Sequence, residues 1–197
     1  MGFLTPTICE IIWFAGLIVW YIIRYPFERK AKKVGVTKSL FGWRETALLA
    51  FAFLGLCILP AFFALTGFPA AFDRPVIAAV AGLGVVVLCA ALWLFYRSHA
   101  GLGRNWSISL EIREQHHLVN AGAYRLIRHP MYASFFLLAL AQILLLPNWF
   151  AGGAGLVGVG VLFGFRVRQE ERMMRERFGA EYLDYMAHTK RLIPWIF

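Results

Sequence analysis

The sequence predicts an all-α fold: a polytopic integral membrane helical bundle of about five transmembrane segments, in which the fourth and fifth form a hairpin and a cytoplasmic helix follows. Three observations predict it. Of 197 residues, 60% are hydrophobic, and the mean hydropathy is +0.63. That is more apolar surface than a soluble domain of this size keeps in solution. The apolar residues are collected into long runs, as in membrane chains. The basic residues fall in blocks between those runs.

The apolar segments are residues 3–23, 45–65, 75–96, 132–146 and 149–165. A span needs about 20 apolar residues to cross a hydrocarbon core of about 30 Å. The first three qualify. The first is too long for a signal h-region, has no basic flank before it and shows no clear cleavage site, so it reads as a retained helix. It carries Glu10, a carboxylate that is expensive in lipid and therefore of interest, although a position near the segment's outer end also suits snorkelling or capping. In the second segment Pro60 predicts a kink, with neighbouring groups satisfying the freed carbonyl. The fourth segment is short and ends at Pro147-Asn148, so the last two segments read as a hairpin entering part or all of the bilayer. Either depth returns the chain to the side it left. The fifth is rich in glycine, and Gly160 and Gly164 have the small-xxx-small spacing of closely packed membrane helices. Trp13, Trp20, Tyr21, Trp43, Trp93 and Tyr96 lie toward segment ends, as an interfacial belt would.

The net charge of +9 raises the question of nucleic acid, but its distribution argues for membrane orientation. Lys and Arg are absent from Met1 to Ile23 and cluster at Arg24–Arg44, Arg97–Arg128 and Arg166–Arg191, with Arg74 the exception. Alternating the five segments puts all three clusters on one face. The positive-inside rule makes that face cytoplasmic, with the N-terminus outside and the C-terminus inside. No aromatic-basic reading surface accompanies the charge, so no nucleic-acid partner is expected. The lipid bilayer is the expected partner, with added attraction to anionic headgroups. Cys9, Cys57 and Cys89 lie in apolar segments at no metal-ligand spacing and read as small core residues.

Two polar blocks stand out. The first lies in the connection from Arg97 to Pro130, which Gly101, Gly103 and Gly122 punctuate into turns. It contains His116-His117-Leu118-Val119, Gly122-Ala123-Tyr124 and Arg128-His129-Pro130-Met131-Tyr132. The second runs from Arg166 to Glu170-Glu171 and continues the fifth segment in strong helix formers. Arg166 and Glu170 are four apart and share a helix face, which suits an i,i+4 ion pair as well as a shared site. His99 and His188 lack such context and read as surface residues. A metal held by His116, His117 and His129 lacks a completing carboxylate or thiolate, so no metal is expected. After Gly179, Tyr182, Tyr185 and Met186 alternate with charges, followed by Leu192-Ile193-Pro194-Trp195-Ile196-Phe197: an interfacial helix with an apolar tail.

These blocks, together with Phe178-Gly179-Ala180-Glu181-Tyr182 and Tyr185, resemble the C-terminal core of the isoprenylcysteine carboxyl methyltransferase family, itself related to the membrane phospholipid N-methyltransferases. The resemblance covers roughly residues 100–195. It implies a division into an N-terminal transmembrane scaffold (1–96) and a catalytic core (97–197). It also implies an S-adenosyl-L-methionine-dependent methyltransferase acting on a lipophilic acceptor. By position, the cofactor shell would be His116, His117, Leu118, Val119, Tyr124, His129, Pro130, Met131, Tyr132 and Glu170, and Arg166 would face the acceptor. The catalytic residues implied are Arg166, Glu170 and His129. The residue types suit that ligand. Tyr124 and Tyr132 offer aromatic faces and hydroxyls to adenine and to a cationic sulfur. Glu170 can accept charge-assisted bonds, Pro130 suits a first helical turn, and histidine can donate or accept near neutral pH.

A carboxylate acceptor is already ionised and needs no base. An amine would need one, from His129 or a glutamate, and a thiol would have to be a thiolate. The chain has fewer apolar segments than the eukaryotic isoprenylcysteine enzymes, and Gly-Ala-Tyr where Gly-Pro-Tyr is common. A phospholipid N-methyltransferase or a thiol methyltransferase of the same fold therefore stands beside the carboxyl reading. A sterol-type membrane reductase using NADPH is a further alternative. Transport would need a polar path through the helices, yet Glu10 is almost the only ionisable residue inside a segment.

Overall fold

The computed structural model describes residues 4–31, 36–39, 42–103, 111–113 and 118–197. Seven helices make up most of it: α1 (Pro6–Ala31), α2 (Trp43–Phe53), α3 (Leu59–Thr66), α4 (Ala78–Leu102), α5 (Pro130–Leu145), α6 (Trp149–Phe178) and α7 (Ala180–His188). A π-helical turn, Leu54–Ile58, joins α2 and α3 into one rod. Four rods are long and apolar enough to cross a membrane: Pro6–Lys30, Trp43–Thr66, Ala78–Leu102 and Trp149–Phe178. Helix α5 is apolar but has 16 residues, about 24 Å at about 1.5 Å per residue. The outward faces are greasy, with Ile11, Ile18, Ile22, Leu65, Val86 and Trp93 all exposed.

One element is not helical. Strand β1 (Val36–Ser39) pairs antiparallel with β2 (Glu111–Arg113), so that Ser39 lies opposite Glu111. This ribbon ties the α1–α2 link to the α4–α5 connection, and two of the basic blocks thereby share one end of the bundle. The connection itself starts later than expected. Helix α4 continues past Arg97 and Gly101 because its polar residues return their groups to carbonyls one turn back. Ser98 Oγ donates to Leu94 O at 2.7 Å, and His99 Nδ1 lies 2.9 Å from Phe95 O.

The π-turn explains how Pro60 is accommodated. Leu59 N–H donates to Leu54 O, five residues back. In that register the carbonyl without a proline N–H is Gly55 O, and Gln142 Nε2 of α5 supplies the missing hydrogen bond at 3.0 Å. The expected satisfaction by a neighbour is therefore present. The same amide donates to Ala151 O at 2.6 Å and pins the start of α6.

At the end away from the basic blocks, the α5–α6 turn meets the α3–α4 loop. Asn148 Oδ1 caps α6 by accepting from Ala151 N–H, while its Nδ2 donates to Asp73 Oδ1 at 2.7 Å and Pro69 O at 2.9 Å. Arg74 N–H donates to Pro147 O. The Arg74 guanidinium donates to Ile143 O and Leu146 O and lies over the Trp149 ring. The hairpin tip thus reaches the level at which α3 ends and α4 begins, despite the shortness of α5.

Glycine permits the close contact of α6 with the α2 rod, at positions other than the predicted pair. A Cβ at Gly158 would sit 3.0 Å from Ala52 Cα and 3.2 Å from Phe51 O, and one at Gly155 would strike Leu56 and Gln142. A Cβ at Gly160 or Gly164 would meet nothing within 4 Å. The i,i+4 spacing identifies a face but not the neighbour behind it. Two tryptophans also depart from the interfacial reading: Trp13 is fully buried in the core and Trp20 packs on Phe95 and Phe135.

Candidate active site

At the basic end the helices splay around a cavity of about 500 Å³, within the usual range of about 300–1,000 Å³ for ligand pockets. Its inner limb is apolar, walled by Leu17 and Trp20 of α1, Leu49, Phe53 and Leu56 of the α2 rod, Phe135 and Leu138 of α5, and Val159 and Leu162 of α6. Its outer limb is polar. Eight expected site residues line it: Leu118, Val119, Tyr124, His129, Met131, Tyr132, Arg166 and Glu170. Pro130 is buried behind them at the first turn of α5. His116 and His117 lie outside the described residues.

Two adjacent carboxylates on α6 have opposite surroundings. Glu171 is buried in a cage of cations. Arg191 Nε and Nη2 reach its oxygens at 3.0 and 2.8 Å, and Arg128 Nε and Nη2 lie at 3.3 Å. His129 Nε2 is 3.3 Å away. Since an ionised carboxylate can only accept, the His129 nitrogen facing it carries the proton. This bonding pushes the Arg191 guanidinium further up, so it stays charged. Glu170 is held by one phenol, Tyr132 Oη donating to Oε2 at 3.1 Å, and its side chain keeps 31% exposure toward the cavity. His129 Nδ1 faces its other oxygen at 3.9 Å. His129 therefore bridges a caged glutamate and an open one.

The C-terminal strap completes the outer wall. Residues 127 and 190 form a parallel bridge, Arg128 N–H donates to Lys190 O at 2.7 Å, and His129 N–H donates to Arg191 O at 3.0 Å. The Arg128 guanidinium adds bonds to Met186 O and Thr189 O. From α7, Tyr185 Oη donates to Tyr124 O at 2.6 Å. Burial raises the Tyr185 phenol well above its ordinary value, which keeps it a donor. Leu192 then packs beside Tyr132, Leu162 and Ala52.

Arg166 is buried, and the ion pair it forms runs between helices: Nη2 lies 3.1 Å from Glu45 Oε1 in the first turn of α2. The sequence had suggested Glu170 as its neighbour on the same helix. Glu45 was missed, although a lone carboxylate at the mouth of an apolar segment was a visible signal. His99 corrects another expectation. It is fully buried on the cavity wall, its ring tilted against those of Phe95 and Phe27 with centroids 4.1 and 5.2 Å away. Its backbone-directed bond allowed a polar ring to be covered. His188 is exposed, as expected. The role of Arg191 had no signal, because only folding brings the strap back to α6.

Residues 79–176 match the isoprenylcysteine carboxyl methyltransferase family, almost half of the chain. Protein-S-isoprenylcysteine O-methyltransferase A of Arabidopsis thaliana is 32% identical over 96 residues, which cover 48% of this chain and 49% of that protein. The Homo sapiens protein-S-isoprenylcysteine O-methyltransferase is 31% identical over 117 residues, 59% of this chain and 41% of the relative. The chain thus spans about half the length of the plant relatives it matches. The solved structure of a eukaryotic intramembrane Ras methyltransferase aligns with 94% of this chain and 63% of its own at a TM-score of 0.54 and 21% identity, a likeness of fold. These relatives are methyltransferases, which favours that reading over the reductase. The fold is that of a multi-pass integral membrane protein, and the similarity to the isoprenylcysteine carboxyl methyltransferase family lies in residues 79–176.

Proposed function

We propose that the chain is an S-adenosyl-L-methionine-dependent methyltransferase that esterifies the carboxylate of a lipophilic acceptor, with an S-prenylated cysteine as the model acceptor. The observation that carries this reading is the single cavity with a polar limb at the basic end and an apolar limb running into the bundle. By the charge asymmetry, the polar limb opens to the cytoplasm and the N-terminus lies outside.

The residues present fit the cofactor. Glu170 offers an exposed carboxylate to ammonium or hydroxyl groups, and buried Tyr124 and Tyr132 provide aromatic faces. Leu118, Val119, Pro130 and Met131 supply apolar flanks, and His129 a ring held in place by Glu171. When bound, S-adenosyl-L-methionine supplies an electrophilic methyl group on a cationic sulfur. Tyr132 orients Glu170 by its hydrogen bond. Arg166 orients the acceptor carboxylate, and the apolar limb takes its lipid chain and excludes water. No proton needs to move, so the residues act by positioning and by substituting for solvent, and well-oriented reactants gain about 7–11 kcal/mol.

The test is calorimetric titration of purified, folded variants with S-adenosylhomocysteine. Loss of a charge-assisted bond is worth about 1.5–3 kcal/mol, so Glu170→Ala should bind roughly 10- to 150-fold more weakly. His129→Ala should also weaken binding. Parent-like binding by both variants would reject the cofactor assignment. Arg166→Ala should keep donor binding and lose methyl transfer to a prenylcysteine carboxylate. Loss of donor binding would instead move Arg166 to the cofactor.

A further inference from the structure

Arg166 presents two sides. One belongs to the cavity wall. On the other, Nη2 meets Glu45 Oε1 at 3.1 Å, and both side chains are at least nine-tenths buried. Among the described residues Glu45 is not part of the cavity lining, so it reaches the arginine from behind. It comes from α2, outside the residues 79–176 that match the family. Gly158 sets the closeness of α2 to α6 about two helix turns deeper, since a Cβ there would meet the backbone of Phe51 and Ala52.

We infer that Glu45 is a positioning residue that holds the Arg166 guanidinium before and after transfer, and so lets the site release an acceptor that has lost its charge. The inference rests on the reading of Arg166 as the group that meets the acceptor carboxylate. In the transfer, a lone pair of the carboxylate oxygen becomes the new O–CH3 bond, and the electrons of the broken S–C bond stay on the donor's sulfur. The anion becomes a neutral ester. A cation paired only with the substrate would bind the anion tightly and lose that attraction as the charge disappears. It would thus stabilise the ground state more than the transition state. It would also be left as an uncompensated buried charge beside the product, which is costly. A fixed carboxylate behind the arginine counters both effects. Guanidinium is suited to this sharing because its planar fork can serve two carboxylates at once.

The experiment titrates the full chain in detergent micelles, loaded with S-adenosylhomocysteine, with N-acetyl-S-farnesylcysteine and separately with its methyl ester. The parent's acid-over-ester affinity ratio is the reference. Glu45→Gln is expected to raise that ratio about tenfold, the size of a 1.4 kcal/mol change. It is also expected to lower kcat by a similar factor without raising the acceptor KM. Glu45→Asp, which keeps the charge at a longer reach, is expected to give a smaller rise of about threefold and serves alone if the glutamine variant does not fold. An unchanged or lowered ratio, or a raised KM with kcat retained, would overturn the inference, because Glu45 would then only build the wall. Arg166→Gln separates the two readings. If its acid-over-ester ratio equals the parent's, Arg166 does not face the acceptor, whatever Glu45 does.

Discussion

The two ends of the α5–α6 hairpin are both polar, and they use polarity differently. At the tip, Arg74, Asn148 and Gln142 direct their donors mainly to main-chain carbonyls. These groups close a turn. At the base, charged side chains face one another around a cavity, and neighbouring positions on one helix are sealed in one case and open in the other. Polar residues within a greasy fold are therefore not equivalent evidence of chemistry. Donors matched to backbone carbonyls mark construction, whereas a carboxylate with one phenol partner and a solvent-facing edge marks a candidate site.

The comparison can be broken most forcefully at Glu171. Glu171→Ala leaves Arg128, Arg191 and His129 without their common acceptor, and breaking a buried charged network costs about 3–5 kcal/mol. Thermal unfolding in detergent should show that loss, together with easier proteolysis of the strap. A variant as stable as the parent would reject the division between a caged and an open glutamate. At the tip, Asn148→Ala removes the α6 cap and two donated bonds. The expected loss is about 1–2 kcal/mol, with S-adenosylhomocysteine affinity unchanged. Altered affinity would mean that the tip is coupled to the site. A further contrast lies within α6. Gly158→Ala must push on the backbone of α2, at a cost of about 1–3 kcal/mol. Gly160→Ala has open space around it and should gain about 0.8–1 kcal/mol from helix propensity. Equal effects would show that α2 and α6 do not pack as described.

The hairpin and its flanking spans were legible in the sequence because a bilayer imposes one length scale on every crossing helix. The polar residues that line the cavity were legible for a different reason: in so apolar a chain, His129, Arg166 and Glu170 had few competitors. What was hidden depended on contacts between distant segments. Nothing local distinguishes Glu170 from Glu171, since a rotation of about 100° along the helix separates them, and the partner of each comes from elsewhere. The same holds for Glu45 and Arg166, and for Arg191 and Glu171. His99 misled because a helix can satisfy one ring nitrogen by itself, which removes the usual reason for exposure. The ribbon between β1 and β2 had no apolar alternation to announce it.

The backbone bridge between residues 127 and 190 has a consequence for the birth of the protein. Ribosomes deliver α5 and α6 to the membrane before α7 and the strap exist. At that moment Arg191 is not yet there to meet Glu171, and the chain ahead of Pro130 lacks its carbonyl partners at 190 and 191. Insertion and maturation are thus separate events. The greasy hairpin can settle in the bilayer early, while the outer wall of the cavity is completed only when the last-made segment folds back, so a truncated or stalled chain would be membrane-integrated and yet lack that wall.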